Sequence, residues 1–166
     1  MPFDRYRDRV RAEWIDHNGH MNMGYYLVVF DLATDEFLSW IGLDEAHRRA
    51  RRVSTFSLES HVTYQREVRQ GDPLRFTTRL LGYDEKRIHY FHEMHHAEAG
   101  HLAATNELMS LHVSEETRRA APMAPEILER LALVLAEHER APRPSQVGRS
   151  IGLANRPRSL PGPIPP

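Results

Sequence analysis

Between Tyr26 and Ile41 the residues Tyr26, Val29, Phe30, Ala33, Phe37, Trp40 and Ile41 recur at intervals of 3, 1, 3, 4, 3 and 1. That is the spacing of a helix. Leu27, Val28, Leu32 and Leu38 fall off the stripe, so the segment is apolar over most of its circumference. Such a helix is predicted to be central and buried on nearly all sides. Asn22 is placed to cap its start and Gly42 to end it. A short strand is predicted ahead of it, from Tyr6 to Trp14.

After a basic connector, His47 to Arg52, the period changes to two. Phe56, Leu58, Ser60, Val62 and Tyr64 alternate with Thr55, Ser57, Glu59, His61 and Thr63, giving one apolar and one polar face. Gly71-Asp72-Pro73 turns the chain into Leu74–Tyr83, and Asp84-Glu85-Lys86-Arg87 turns it into Ile88–Glu98. Ala99-Gly100-His101 leads to Leu102–Val113. Four strands joined by short turns make an antiparallel meander. Pro125 to Glu139 reads as a closing amphipathic helix.

The last 27 residues hold seven of the eleven prolines. The chain therefore divides into one domain over 1–139 and a proline-rich tail over 140–166, expected to be extended or flexible. The element order predicts an α+β fold, an antiparallel sheet wrapped around one long helix. A single five-stranded sheet cannot cover that helix completely and leaves its edges open. A homodimer or a dimer of dimers is the expected remedy.

Composition narrows the function. Twenty-two Lys and Arg oppose 23 Asp and Glu in 166 residues, for a formal charge of −1. That balance offers no electrostatic footprint for nucleic acid or an anionic membrane. Cysteine is absent, which excludes disulfides, cysteine-ligated zinc and a cysteine nucleophile. The first residues lack an apolar signal core, and no later segment is long enough to span a bilayer, so a cytoplasmic location is expected.

The chemistry concentrates in Trp14-Ile15-Asp16-His17-Asn18-Gly19-His20-Met21-Asn22-Met23-Gly24-Tyr25-Tyr26. It places one carboxylate, Asp16, on a polar loop directly before the long helix. A helix start supplies unpaired N–H groups and the positive end of a dipole, while the acid supplies a nucleophile or general base. Together they suit attack on a polarised carbonyl; Asp16 could equally cap a loop turn. Asn18, His20 and Asn22 are further polar groups of the loop, with Asn22 also a helix cap and His20 a loop-fixing hydrogen-bonder. Glu59 and His61 sit on the polar face of the second strand, as site residues or as a solvated face.

His92-Glu93-Met94-His95-His96 matches the zinc-protease pattern His-Glu-x-x-His. That motif needs a helix, where positions four apart lie one turn from each other. Here the segment alternates like a strand, and residues four apart on a strand stand roughly 13 Å apart at about 3.3 Å per residue. Two zinc ligands, each about 2 Å from the metal, cannot be so distant. No metal site is expected.

The element order and Asp16-x-x-Gly19-His20-x-Asn22 before the helix resemble the hotdog-fold acyl-CoA thioesterases of the 4-hydroxybenzoyl-CoA type, over about residues 8 to 115. Longer strings are similar to one branch, the betainyl-CoA thioesterases of bacterial carnitine breakdown. They are Trp14 to Met21, Phe30-Asp31-Leu32-Ala33-Thr34-Asp35-Glu36-Phe37-Leu38, Gly82 to His89, and Pro144 to Gly152. In that branch the domain sometimes follows a carnitine dehydrogenase; a chain starting at Met1 implies a stand-alone thioesterase.

The resemblance implies an acyl-CoA thioester hydrolase needing no metal or prosthetic group, CoA being part of the substrate. Asp16 falls on the family's catalytic aspartate, and the backbone N–H of Met23 or Gly24 would meet the thioester oxygen. A betainyl group carries a permanent cation, for which Trp14, Tyr25, Tyr26, Tyr64 and Glu59 are candidates. Some hotdog thioesterases use a helix carboxylate instead, and Asp31, Asp35 and Glu36 supply such acids. Arg66, Arg69, Arg75, Arg87, Arg118 and Arg119 are available for the CoA phosphates, with nothing in the sequence to choose among them. Rival readings are a thioesterase for another short or aromatic acyl group and an acyl-CoA-binding module without turnover. A hotdog hydratase resembles Asp-x-Asn-Pro-x-His; the histidine position is Met21 here and the proline is absent.

Overall fold

The structure is a computed structural model and describes residues 1–153. Strand β1 (Arg7–Arg9) leads through a 3-10 turn at Ala12–Trp14 and the polar loop into helix α1 (Met23–Trp40). Helix α2 (Glu45–Arg51) follows, then β2 (Val53–Tyr64), β3 (Pro73–Tyr83), β4 (Arg87–His96), β5 (Leu102–Ser114) and helix α3 (Pro125–His138). The strands form one antiparallel sheet in the order β1-β3-β4-β5-β2. Among the described residues no helix is long and apolar enough to cross a membrane.

Helix α1 lies on the inner face of the sheet. Val29, Phe30, Ala33, Phe37 and Leu38 are buried. They pack in two groups, one with Phe76, Leu74, Met94 and Ala104, the other with Leu80, Ile88, Tyr90 and Leu108. Helix α3 closes the second group with Ile127, Leu131 and Val134. Burying side chains of this size contributes about 1.5–3 kcal/mol each, so α1 is held chiefly by this face.

Five expectations need correction. The strand predicted over Tyr6–Trp14 is paired only at Arg7–Arg9, because the chain turns away at Ala12–Trp14. The basic connector is a helix: the Asp44 carboxylate accepts from His47 N–H at 2.8 Å, and Arg52 ends it at φ 53°. The long helix is not covered on nearly all sides. Leu27 and Val28 are 45% and 47% exposed, because one sheet presents one face to it.

The last two corrections concern β2. It pairs with β5 rather than β3, so only β3, β4 and β5 form a meander and the turn at Gly71-Asp72-Pro73 does not close a hairpin with β2. A bulge at Leu58 shifts its register against β5 between Ser57 and Glu59. Before it, Thr55 and Ser57 lie opposite His112 and Ser110; after it, Ser60, Val62 and Tyr64 lie opposite Leu108, Asn106 and Ala104. Paired residues share a face. The inward set therefore switches from odd to even numbers, and the apolar face predicted from Phe56 to Tyr64 is split. Phe56, Glu59 and His61 point outward with Leu111, Met109 and Glu107.

Segment 141–151 lies against that outer face. The Arg79 guanidinium donates to the carbonyl of Ala141 at 3.1 Å, and Gly148 N–H donates to Glu107 Oε2 at 2.7 Å. Residues 154–166 of the predicted proline-rich tail lie outside the described residues.

Under α1, His92 is fully buried between two hydroxyls. Thr34 Oγ1 donates to the carbonyl of Phe30 at 3.0 Å and so accepts from His92 Nε2 at 2.9 Å; Thr78 Oγ1 then donates to Nδ1 at 2.8 Å. Burial without a counter-charge pushes the His92 pKa down to about 3. The unfolded chain takes a proton near pH 6.5 that the folded chain refuses, so stability falls as pH drops from 6.5 towards 3. Denaturant unfolding at pH 6.5 and 5 should differ by about 1.5–2 kcal/mol from this residue. His92→Gln should flatten the dependence by that amount, and parallel curves would remove His92 as its source.

Candidate active site

The loop before α1 is fixed from within. Ile15 and Met21 form an isolated bridge. Asp16 N–H donates to the His20 carbonyl at 3.1 Å, and Gly19 N–H donates to the Asp16 carbonyl at 3.0 Å. Gly19 sits at φ 80°, a conformation open to glycine at little cost. Buried Trp14 and Met21 anchor the two sides. Asn22 N–H to the Trp14 carbonyl (2.9 Å) and Met21 N–H to the Val68 carbonyl (2.9 Å) tie the loop to the body.

Asp16 is poised as a carboxylate. Its Oδ1 accepts from Asn18 N–H at 2.8 Å, and Oδ2 receives a longer contact from Asn22 Nδ2 at 3.4 Å. The Asn18 N–H is the main cause that holds its pKa below the usual carboxylate value; it outweighs the opposing desolvation, and His20, Asn22 and His17 add to it. Asp16 is ionised at neutral pH.

Asn22 joins that carboxylate to the helix. Its Oδ1 accepts from Gly24 N–H at 3.0 Å, which makes it the N-cap of α1. Of the two backbone donors expected at the carbonyl, Gly24 N–H is thus already engaged. Met23 N–H has no acceptor among the described residues. A carboxylate that can accept a proton therefore stands beside a free N–H at the positive end of an 18-residue helix.

The other candidates separate. His20 lies 3.4 Å from the Met21 carbonyl through Nδ1 and 4.0 Å from Glu67 through Nε2, the surroundings of a loop-fixing residue. Tyr25 stacks on Trp14 with ring centroids 6.1 Å apart, and Tyr26 meets Tyr64 edge-on at 5.2 Å. Trp14 and Tyr26 are buried core residues, so their side chains are not presented to the loop's open side. The Tyr64 hydroxyl donates to the Met23 carbonyl at 3.2 Å. Arg66 lines a cavity of about 280 Å³ with His20, Met23 and Tyr64, whereas Arg69, Arg75 and Arg87 are paired with Glu67, Asp4 and Asp84.

Glu59 and His61 are not brought to this place. They line a cavity of about 650 Å³ on the outer face with His89, Glu107 and residues 148–151. A second cavity, about 320 Å³, does reach the helix start. Gly24, Leu27, Val28, Asp31 and Thr34 of α1 face Ser57, Ser60, Asn106 and Leu108 across it. The sequence reading passed over Ser60 and Asn106. A polar residue in phase with Ala104 and Leu108 on an inward-facing strand was the available signal.

The family model of the thioesterase-like superfamily matches residues 10–131. The chain belongs to that superfamily. It is 41% identical to a betainyl-CoA thioesterase of Pseudomonas aeruginosa over 148 residues, 89% of this chain and 93% of the relative. It is 36% identical to an L-carnitine dehydrogenase/betainyl-CoA thioesterase of Rhizobium meliloti, covering 87% of this chain and 29% of that longer protein. Among solved structures, a Staphylococcus aureus protein in complex with CoA superposes with a TM-score of 0.85 at 30% identity, covering 92% of this chain and 96% of that one. Family membership and the sheet-and-helix fold agree with the resemblance drawn from the loop motif.

The Asn22 bridge makes a measurable difference to Asp16. In Asn22→Asp the cap acceptor is kept, but a second negative charge lies beside Asp16. The Asp16 carboxyl should then titrate at higher pH than in wild type, read by carboxyl-carbon NMR. Unchanged titration would mean that the two side chains do not meet in solution. Asn22→Ala, lacking both functions, should cost about 1 kcal/mol of stability.

Proposed function

We propose that this thioesterase hydrolyses a short acyl-CoA, betainyl-CoA in particular, to betaine and CoA. The observation that carries the chemistry is the ionised Asp16 beside the unengaged Met23 N–H at the start of α1. The 41% identity to the Pseudomonas aeruginosa protein supports the substrate.

In this reading the thioester carbonyl oxygen is received by Met23 N–H. Asp16 either takes a proton from an attacking water or attacks the carbonyl carbon itself. With water, the C–S bond breaks after a tetrahedral intermediate, the acyl group leaves as the carboxylate, and the thiolate of CoA takes up the proton. With direct attack, the C–S bond breaks as a mixed anhydride with Asp16 forms and CoA leaves as the thiolate; water then cleaves the anhydride, releasing the acid, restoring the Asp16 carboxylate and supplying the proton that the thiolate takes up. Preorganised donors of this type lower the barrier by roughly 2.7–4 kcal/mol. No metal or prosthetic group enters either route, and the enzyme acts in the cytoplasm.

The reading includes a homodimer or a dimer of dimers. Strand β2 is an edge strand, and Phe56 and Leu58 on it are 62% and 49% exposed. Leu27 and Val28 of α1 are exposed as well. A second copy paired along β2 would satisfy the open edge and cover apolar surface that water now meets.

The test is thiol release from betainyl-, acetyl-, longer straight-chain and 4-hydroxybenzoyl-CoA, with wild type and Asp16→Asn in parallel. Betainyl-CoA should be the preferred substrate, and Asp16→Asn should lose about 100-fold or more in kcat. Because Asp16 is held below the usual carboxylate pKa, the acid limb of wild-type activity should lie below the range of an ordinary aspartate. Preference for another acyl group with the same Asp16 dependence would retain the chemistry and replace the substrate. Full activity in Asp16→Asn would remove Asp16 from its role.

A further inference from the structure

The cavity between α1 and the β2–β5 pair begins at Gly24, one residue from the donor assigned to the thioester carbonyl. Its helix wall is built from positions 24, 27, 28, 31 and 34, which share one side of α1. From Gly24 to Asp31 the helix rises about 10.5 Å at 1.5 Å per residue. Side chains on a helix lean toward its N-terminus, so the Asp31 carboxylate leans back toward the carbonyl end of the cavity. The remaining walls are apolar or weakly polar: Leu27, Val28 and Leu108, with Ser57, Ser60, Thr34 and Asn106.

Asp31 differs from Asp35 in having no counter-charge among the described residues. Asp35, one turn on, lies 3.6 Å from the Arg48 guanidinium. Asp31 has neither an ion pair nor a hydrogen bond among the described residues, and it faces the like charge of Asp35. Partial desolvation of its carboxylate beside the cavity and that neighbour raise its pKa above the ordinary carboxylate value, although the residue as a whole is exposed. A bound cation would relieve both costs. A second unmet need lies across the cavity, where fully buried Asn106 accepts from Ser60 Oγ at 2.8 Å while its Nδ2 has no partner.

We infer that this cavity receives the acyl group and that Asp31 selects an acyl group ending in a quaternary ammonium. The inference rests on the thioesterase reading above and names the residue that sets its substrate class. A trimethylammonium spreads its charge over methyl groups and donates no hydrogen bond. It is best met by an unshared carboxylate among apolar walls, which is what Asp31, Leu27, Val28 and Leu108 provide. Glu59, the acid that sequence reasoning put forward for this charge, points to the opposite face of the sheet, so Asp31 is the acid at the cavity that starts beside the loop.

The experiment compares betainyl-CoA with 3,3-dimethylbutyryl-CoA, in which a carbon replaces the charged nitrogen and the shape is kept. Wild type should prefer the cation in kcat/KM by about tenfold or more, equivalent to about 1.4 kcal/mol. Asp31→Asn should lose that preference through betainyl-CoA alone, the neutral substrate staying within about twofold, and Asp31→Glu should restore part of it. Asp31 is exposed on the helix surface, so the variant should fold, and its thermal midpoint checks this. Equal losses on both substrates would make Asp31 part of the chemistry and overturn the assignment, as would a variant that keeps wild-type preference. A wild type without preference would also overturn it while leaving the thioesterase reading intact. A wild type that releases no thiol from any acyl-CoA in the panel would overturn both.

Discussion

One sheet has one inner face, and α1 is apolar on more than one side; the molecule is arranged around that mismatch. Val29, Phe30, Ala33, Phe37 and Leu38 take the inner face. Phe30 stacks on the ring of His92 at 5.8 Å and meets Phe76 edge-on at the same distance. This packing fixes the axis and rotation of the helix, and with them the place of its first turn. Interiors at native density permit little sliding, so the free N–H at Met23 is positioned by the core rather than by the loop alone. In the proposed reading the side left exposed, Leu27, Val28 and Asp31, lines the acyl cavity and meets a second copy. The apolar excess on the helix thus becomes binding surface.

Much of this was legible in the chain. The 3.6 period of Tyr26–Ile41 and the period of two beyond it specify a long helix followed by four strands, because each element must turn its apolar side to a common core. The place of β2 was not legible: short turns suggest a meander, but β2 closes against β5, a pairing between segments distant in sequence that local alternation does not carry. Asp16 stood out because a carboxylate directly before a helix start is an electrostatic arrangement readable from order alone. The bulge at Leu58 was not legible. Alternation counts positions, and one extra residue in an edge strand reverses which side every later residue faces. The same bulge sent Glu59 and His61 to the outer face, away from the chemistry. Helix α2 was missed because Arg48, Arg49, Arg51 and Arg52 suggest a solvated connector, while the signal that starts it, the Asp44 cap, is a single side chain.

The two faces of the sheet do different work. Inward polar residues, Thr34, Thr78, His92, Ser60 and Asn106, form short hydrogen-bonded sets between the helix and the strands. Outward ones hold the segment after α3: Glu107 accepts from both His89 Nε2 at 2.8 Å and Gly148 N–H at 2.7 Å. A residue on one face cannot serve the other, since a backbone ladder and a layer of side chains separate them. Outward acids such as Glu59 and Glu107 are therefore structural neighbours of the 148–151 segment, and Asp31 is the acid among the residues lining the cavity along α1.

Asn22 shows why the loop needs its particular residue at the helix start. Ser or Thr could accept from Gly24 N–H, but a single hydroxyl has one proton to give and a short reach. Asp could accept equally well, yet it would place a second negative charge beside Asp16 and raise the pKa that the loop is built to hold down. An amide has an acceptor and a donor on one rigid plane. Its oxygen caps Gly24, and its nitrogen faces Asp16. By engaging Gly24 N–H, Asn22 leaves Met23 N–H as the first unoccupied donor of the helix, directly after the residue that touches the carboxylate. Charge on a developing oxyanion and charge on Asp16 repel, so both are tolerable in one site only if each has its own N–H. Asn18 supplies one to Asp16, and in the proposed mechanism Met23 N–H is the other.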